Sequence, residues 1–197
     1  MMKKNLLKAL LSVLPKYSAR EFLTGLFFDF DKKRIVSTDG HCLVMVECPG
    51  EIGMREGRAW VGSGEAWEFI KRELRSEKQF FLESLFHFLA DDTRARGIIR
   101  EEVRQQYADM YPDVDKDIPA DVEGVENGKP IFLDWKYLKV IEDIEKAVTP
   151  NVRRSAVYQL PEKKNSPLKA VIRNSDGLRV TVVIMPVNVP CVNFPEF

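Results

Sequence analysis

The tightest restriction on how this chain can fold is a run of leucines at helical spacing that ends at a proline and gives way to three short, strand-like runs. Leu6, Leu7, Leu10, Leu11 and Leu14 recur with the helical period beside Lys3, Lys4 and Lys8, and Pro15 closes the pattern. Gly25 to Phe30, Arg34 to Ser37 and Cys42 to Glu47 then read as strands, separated by turn signals at Asp31-Lys32-Lys33 and Asp39-Gly40. Glycine and proline between Pro49 and Gly57 end this first unit.

The same order recurs twice. Arg58 to Val61 reads as a strand and Gly62-Ser63-Gly64 leads into a helix with Trp67, Ile70 and Leu74 on one side. Lys78 to Glu83, Leu85 to Ala90 and the charged stretch Ala95 to Val103 are expected to be its strands, the last at an edge. Tyr111 to Asn127, rich in proline, glycine and aspartate, reads as a connector. In the third unit Lys129 to Leu133 is expected as a strand and Asp134 as an N-cap, with a helix from Trp135 to Val148 turning Leu138, Ile141 and Ile144 inward. Arg154 to Leu160, Leu168 to Arg173 and Arg179 to Met185 follow as strands. Units of about 60 residues cannot bury both faces of a sheet alone, so they are expected to associate side by side, with sheets outside and helices on one shared face.

Composition removes several function classes. Hydrophobic residues make up 45% and charged residues 30% of the 197, which suits a folded globular chain rather than a disordered one. With 30 Lys+Arg against 30 Asp+Glu, no net field draws in nucleic acid at long range, so any such contact depends on local clusters. Cys42, Cys48 and Cys191 form no paired motif and leave an odd thiol, which points to a reducing compartment rather than a disulfide framework or a structural zinc. Lysines interrupt the leucine run near Met1, so it lacks the apolar core of a signal peptide, and no stretch approaches the roughly 18 apolar residues of a membrane span.

Catalytic constellations are not found. His41 and His87 are the only histidines, and His87 reads as a packed residue of an apolar strand. Asp113, Asp115 and Asp117 alternate like the start of a calcium loop, but Ile118 replaces the required glycine and Gly124 the closing glutamate. Asp39, Asp91 and Asp92 could be imagined as magnesium-binding carboxylates of a nuclease, yet each pair reads as a turn. Gly62-Ser63-Gly64 lacks the lysine of a phosphate loop. No cofactor is expected.

Four collinear motifs carry a resemblance. Arg20-Glu21-Phe22-Leu23-Thr24-Gly25, then Ser37-Thr38-Asp39-Gly40-His41-Cys42-Leu43, then Tyr111-Pro112-Asp113-Val114 with Ile118-Pro119, and last Val182-Val183-Ile184-Met185-Pro186-Val187 resemble stretches of the bacterial replicative DNA sliding clamp family. Cys42 stands where that family usually has arginine, and Glu21-Phe22 replaces paired tyrosines. The resemblance implies an α+β DNA-clamp fold of about three half-domain repeats. Residues 1–120 would be a complete domain, in two repeats of about 1–57 and 58–120, and 121–197 half of the next with a C-terminal tail.

The function implied is a non-enzymatic processivity or tethering factor, acting on double-stranded DNA in the cytoplasm of a bacterial cell or of a phage-infected bacterium. Its implied partners are a DNA polymerase and other replication proteins carrying clamp-binding peptides, a clamp loader and further copies of itself; no membrane is involved. Residue by residue, the family's peptide groove falls on Leu23, Thr38, Gly40, His41, Leu43, Pro112, Val183, Met185, Pro186 and Val187. Its DNA-facing positions fall on Arg20 and Phe22 and on the helix cations Lys3, Lys4, Lys8, Lys71, Arg72, Arg75, Lys136 and Lys139, which would make sequence-independent phosphate contacts. Two alternatives stay open: a clamp-derived adaptor or inhibitor that binds peptides without encircling DNA, and a magnesium-dependent nuclease on a similar scaffold.

Overall fold

The computed structural model describes residues 2–47, 56–90, 101–119, 133–150, 156–159 and 166–187. The first unit is β1 (Met2–Lys3), α1 (Lys4–Val13), a 3-10 turn (Glu21–Thr24), β2 (Gly25–Asp29), β3 (Arg34–Thr38) and β4 (Cys42–Glu47). The second holds β5 (Arg58–Gly62), α2 (Ser63–Arg72), β6 (Gln79–Phe80), α3 (Leu82–Ala90) and α4 (Glu101–Met110). The third holds α5 (Trp135–Val148), β7 (Ala156–Gln159), β8 (Leu168–Arg173) and β9 (Arg179–Ile184). None of the described helices is long and apolar enough to cross a membrane.

Seven strands form one antiparallel sheet in the order β5-β2-β3-β4-β9-β8-β7, while β1 and β6 pair separately. The strands of the first and third units therefore meet at β4 and β9, with Cys42 opposite Ile184 and Glu47 opposite Arg179. Side chains alternate across a strand, so the two faces of this sheet collect different sets. Leu26, Phe28, Ile35, Val44, Val182 and Ile172 face the helix layer, where they join the buried leucines of α1 and Tyr137, Val140, Ile141 and Ile144 of α5. Each fully buried Leu or Ile contributes about 1.5–3 kcal/mol relative to exposure, which seats α1 far more firmly than its propensity would. The buried hydroxyl of Ser37 donates to the Leu10 carbonyl at 2.6 Å, tying α1 to β3.

On the opposite face, Phe27, Val36, Leu43, Met45, Trp60 and Val183 are covered by Ala108 of α4 and by Tyr111 and Val114 beyond it. Tyr111 stacks on Phe27 with ring centres 4.4 Å apart, and Tyr107 meets Trp60 edge-on at 4.8 Å. Buried Arg104 pairs with buried Glu65 at 2.6 Å, and Glu65 also accepts the Gly62 amide at the start of α2. That double use anchors α4 to the β5–α2 junction.

The second unit departs from the sequence expectation of three strands. Lys78 to Glu83 contributes only the two-residue strand β6, Leu85 to Ala90 belongs to α3, and Glu101 to Val103 opens α4; residues 95–100 lie outside those described. Leu82, Leu85 and Phe86 are buried at helical spacing, and the aromatic content of this run disguised that period. His87 accordingly lies exposed on α3 rather than packed in a strand. In α5 Asp134 caps as expected, accepting the Lys136 amide at 3.0 Å. Ile141 and Ile144 face inward as expected, joined by Tyr137 and Val140, whereas Leu138 is 46% exposed. Leu133 is not in a strand, and residues 129–132 lie outside those described. The connector is packed at its start, with Tyr111 and Val114 buried, and α4 covers part of a sheet face expected to be open.

Gly25 is where β2, Trp60 and the 3-10 turn meet, and a Cβ there would fall inside the Trp60 indole and 2.6 Å from the Val61 carbonyl oxygen. Because part of that clash is with backbone, Gly25→Ala is expected to lower stability by about 2–3 kcal/mol, read from urea unfolding with the m-value unchanged. A second test concerns Asp115, which accepts from Arg34 and Lys32 and so pins the segment after α4 to β3. The Arg34 bond first, and then that of Lys32, pull its carboxyl down to about 2. A carboxyl depressed by folding stabilises above its unfolded pKa of about 3.9 and loses that contribution as pH falls through the folded value. Asp115 is nearly half exposed, so solvent screening keeps the effect small. The gap in urea midpoint between the wild type and Asp115→Asn is therefore expected to hold steady above about pH 5 and to close as pH falls toward about 2.

Candidate peptide-binding groove

One lip of the groove is the turn between β3 and β4. Asp39 accepts the amides of His41 and Cys42 at 2.9 and 2.8 Å, and its own amide donates to the Cys42 carbonyl at 3.3 Å. Gly40 sits at φ +88°, a left-handed conformation that a side chain would strain. Beyond the last β4–β9 pair, the Met185 amide donates to the His41 carbonyl at 2.8 Å, so the two rims of the groove share one hydrogen bond.

The opposite wall is the 3-10 turn with Phe22 and Leu23, held from behind by the Trp60 indole N–H on the Phe22 carbonyl at 2.8 Å. Tyr107 of α4 donates to Glu21 on the same turn. A third wall runs from Pro112 to Pro119 and is closed by Lys169, which is 2% exposed and donates to the Pro119 carbonyl at 2.7 Å. Leu43, Val183 and Val114 line the space between, a groove of about 740 Å³. Met185 stands at its mouth, 43% exposed. An exposed thioether above aliphatic walls suits capture of apolar side chains.

Eight of the ten residues assigned to the groove by resemblance line this space together: Leu23, Thr38, Gly40, His41, Leu43, Pro112, Val183 and Met185. Pro186 and Val187 follow Met185 outside the lining. Sequence reading missed Val114, Lys116, Asp117, Ile118, Gln159, Ser166, Pro167 and Lys169, which line it as well. Strand alternation was the available signal for Lys169, since it faces away from Leu168 and Ala170, which join the helix-side core.

The cations assigned to DNA are spread over several places. Arg20 and Phe22 line the groove. Lys3 and Lys4 are half-buried and donate to the Val148 carbonyl at the end of α5 and the Leu74 carbonyl beyond α2, 3.3 and 2.6 Å away, where a cation suits a helix C-terminus. Lys8, Lys71, Arg72 and Arg75 are exposed. Lys136 lies 3.4 Å from Asp134 and 4.0 Å from Asp39, and Lys139 is paired with Glu142 and Asp143.

Asp39, a carboxylate of the nuclease reading, is engaged by two amides and by the Tyr137 hydroxyl, and Asp91 and Asp92 lie outside the described residues. The Cys42 thiol is buried, and burial and then the Asp39 charge push it far above the ordinary thiol range. It is no nucleophile at neutral pH. Among the described residues no group of three His, Cys, Asp or Glu side chains could hold a metal ion.

No protein-family model and no curated protein matches the chain. Solved structures do. The Helicobacter pylori beta clamp in complex with diflunisal superimposes with a TM-score of 0.55 at 12% identity, over 94% of this chain and 64% of that one. The Helicobacter pylori beta clamp bound to a DNA ligase peptide gives 0.53 at 13%, over 94% and 63%. The chain thus spans a little less than two thirds of the length of these clamps. Helices packed on an antiparallel sheet, the four collinear motifs and these superpositions agree: the chain has the fold of the bacterial DNA polymerase III beta sliding clamps.

Proposed function

We propose that the chain is a sliding-clamp-like tethering factor whose groove captures short peptides of replication or repair proteins while its helices hold duplex DNA. The observation that carries this reading is the bond between Met185 and His41, which brings residues of the third and first units to the rim of one apolar groove. The groove is open along one side, so an extended segment can lie in it with a few side chains as anchors. A similar fold crystallised with a DNA ligase peptide supports a peptide as the occupant.

In this reading residues 1–120 are one clamp domain and 121–197 half of a second, and the sheet running from β4 into β9 supports their association. DNA would be held through phosphates by exposed cations, among which Lys71, Arg72 and Arg75 near the end of α2 are the densest group. Polymerase, loader and further copies of the chain are the partners this role requires. The alternative, an adaptor that binds peptides without encircling DNA, parts from it over assembly. A ring should elute as an oligomer in light scattering and stay on nicked circular DNA until the DNA is linearised, whereas an adaptor should do neither.

Two outcomes are expected. A labelled DNA ligase peptide should bind the wild type in fluorescence anisotropy, and Met185→Asp, at an exposed position, should weaken it at least about tenfold with unchanged circular dichroism. Equal affinity for the two proteins would reject the groove as the site. Changing Lys71, Arg72 and Arg75 together to alanine should weaken duplex binding and flatten the plot of log K against log salt by roughly 0.9 for every phosphate that is no longer neutralised. An unaltered slope would remove α2 from the DNA surface.

A further inference from the structure

The turn that forms one lip of the groove is fixed from outside it. Asp39 divides its two carboxylate oxygens between the groove and the helix layer. Oδ1 accepts the amides of His41 and Cys42, and Oδ2 accepts the hydroxyl of Tyr137 at 2.6 Å. Tyr137 lies on α5, is buried, and is absent from the groove lining. Burial first, and then its hydrogen bond to Asp39, raise its phenol far above the ordinary range, consistent with its role as donor. Lys136 sits 4.4 Å above the Tyr137 ring and 4.0 Å from Asp39 Oδ2.

From Asp39 the connection continues through His41 to the amide of Met185. Tyr137, Asp39, His41 and Met185 thus form one hydrogen-bonded line from the helix layer to the mouth of the groove. Its first step is charge-assisted and largely shielded from solvent, where such a bond is strong. Without it the turn keeps its own two amide bonds, and its tie to α5 is reduced to the exposed Lys136 ammonium 4.0 Å from Asp39. The lip, still tied to the sheet by the Met185 amide on the His41 carbonyl and by the Cys42–Ile184 pair, would then be free to tilt at Asp39 and Gly40.

We propose that Tyr137 is a positioning residue for the groove, setting through Asp39 the orientation of the Asp39–His41 lip over the groove without touching the occupant. This deepens the reading of the groove as a peptide site and rests on it. A purely structural role predicts something different, namely loss of global stability with the affinity of the folded protein unchanged.

The test compares Tyr137→Phe, which keeps the ring and removes the hydroxyl, with the wild type on the intact chain. The DNA ligase peptide should bind roughly three- to tenfold more weakly, the worth of one such bond, and the Gly40, His41 and Cys42 amides should exchange faster with solvent. The urea midpoint should move too little for unfolding to account for the weaker binding. Asp39→Asn keeps an oxygen for the two amides and an N–H for the Tyr137 oxygen, and should retain near wild-type affinity, whereas Asp39→Ala should not. Peptide binding and amide exchange in Tyr137→Phe equal to wild type would overturn the proposal and leave the groove reading intact. If Tyr137→Phe does not fold, equal affinity of Asp39→Asn and Asp39→Ala overturns it. A wild type that captures no peptide removes the groove reading, and this proposal with it.

Discussion

Six residue pairs from Cys42–Ile184 to Glu47–Arg179 join the first unit to the third, and the rest of the molecule is arranged around that ladder. Separately, β2 to β5 would be a four-stranded sheet and β7 to β9 a three-stranded one, each with a bare edge of unpaired backbone groups. Joined, they form one surface broad enough to seat α1 and α5 side by side. The ladder also sets register: Leu43 opposite Val183 puts both on the groove face, and a slip of β9 by one residue would turn Val183 toward the helices. The apolar groove and the packed helix layer are therefore two results of the same pairing.

Both faces of the central strands are buried, and two different kinds of cover achieve it. The helix side is aliphatic and continuous. The other side is smaller and aromatic, closed by α4 and the segment after it, and it stops where the groove begins. The groove is thus the uncovered remainder of an otherwise covered face. Its walls are stiffened from behind by groups that do not line it, among them Trp60 on the Phe22 carbonyl and Asp115 between Lys32 and Arg34. Lys169 resolves the remaining conflict: a cation buried to 2% is tolerated because it reaches the Pro119 carbonyl, and that bond ties the third wall to the sheet.

Much of this was legible in the residues because local period and long-range burial agreed. The leucines of α1, the strands β2 to β4, the Asp134 cap and the strands β8 and β9 fall where spacing and turn signals put them. Agreement failed in the second unit, where the run from Leu82 to Leu89 is apolar enough to satisfy either period and its flanking aromatics favoured the wrong one. The cover provided by α4 was illegible for another reason: Arg104 and Ala108 carry its burial, and a charged residue with an alanine gives almost no apolar signal. The groove motifs located the lips and Met185 and contained Val114 without assigning it to the groove, whereas Lys169 lies in none of them and is marked only by strand alternation.

The pairing of Cys42 with Ile184 has a kinetic side as well. Its partners lie near opposite ends of the described chain, so closing the loop between them has a high entropic cost, and topologies dominated by such distant pairings fold slowly. During synthesis the nascent chain can assemble β2 to β5 early, but the rim at Met185 forms only after β9 has been made. Without β9 the groove has the 3-10 turn and the Pro112–Pro119 segment as walls but lacks Val183 and the Met185 rim, so its shape is completed only by the latest of the described strands.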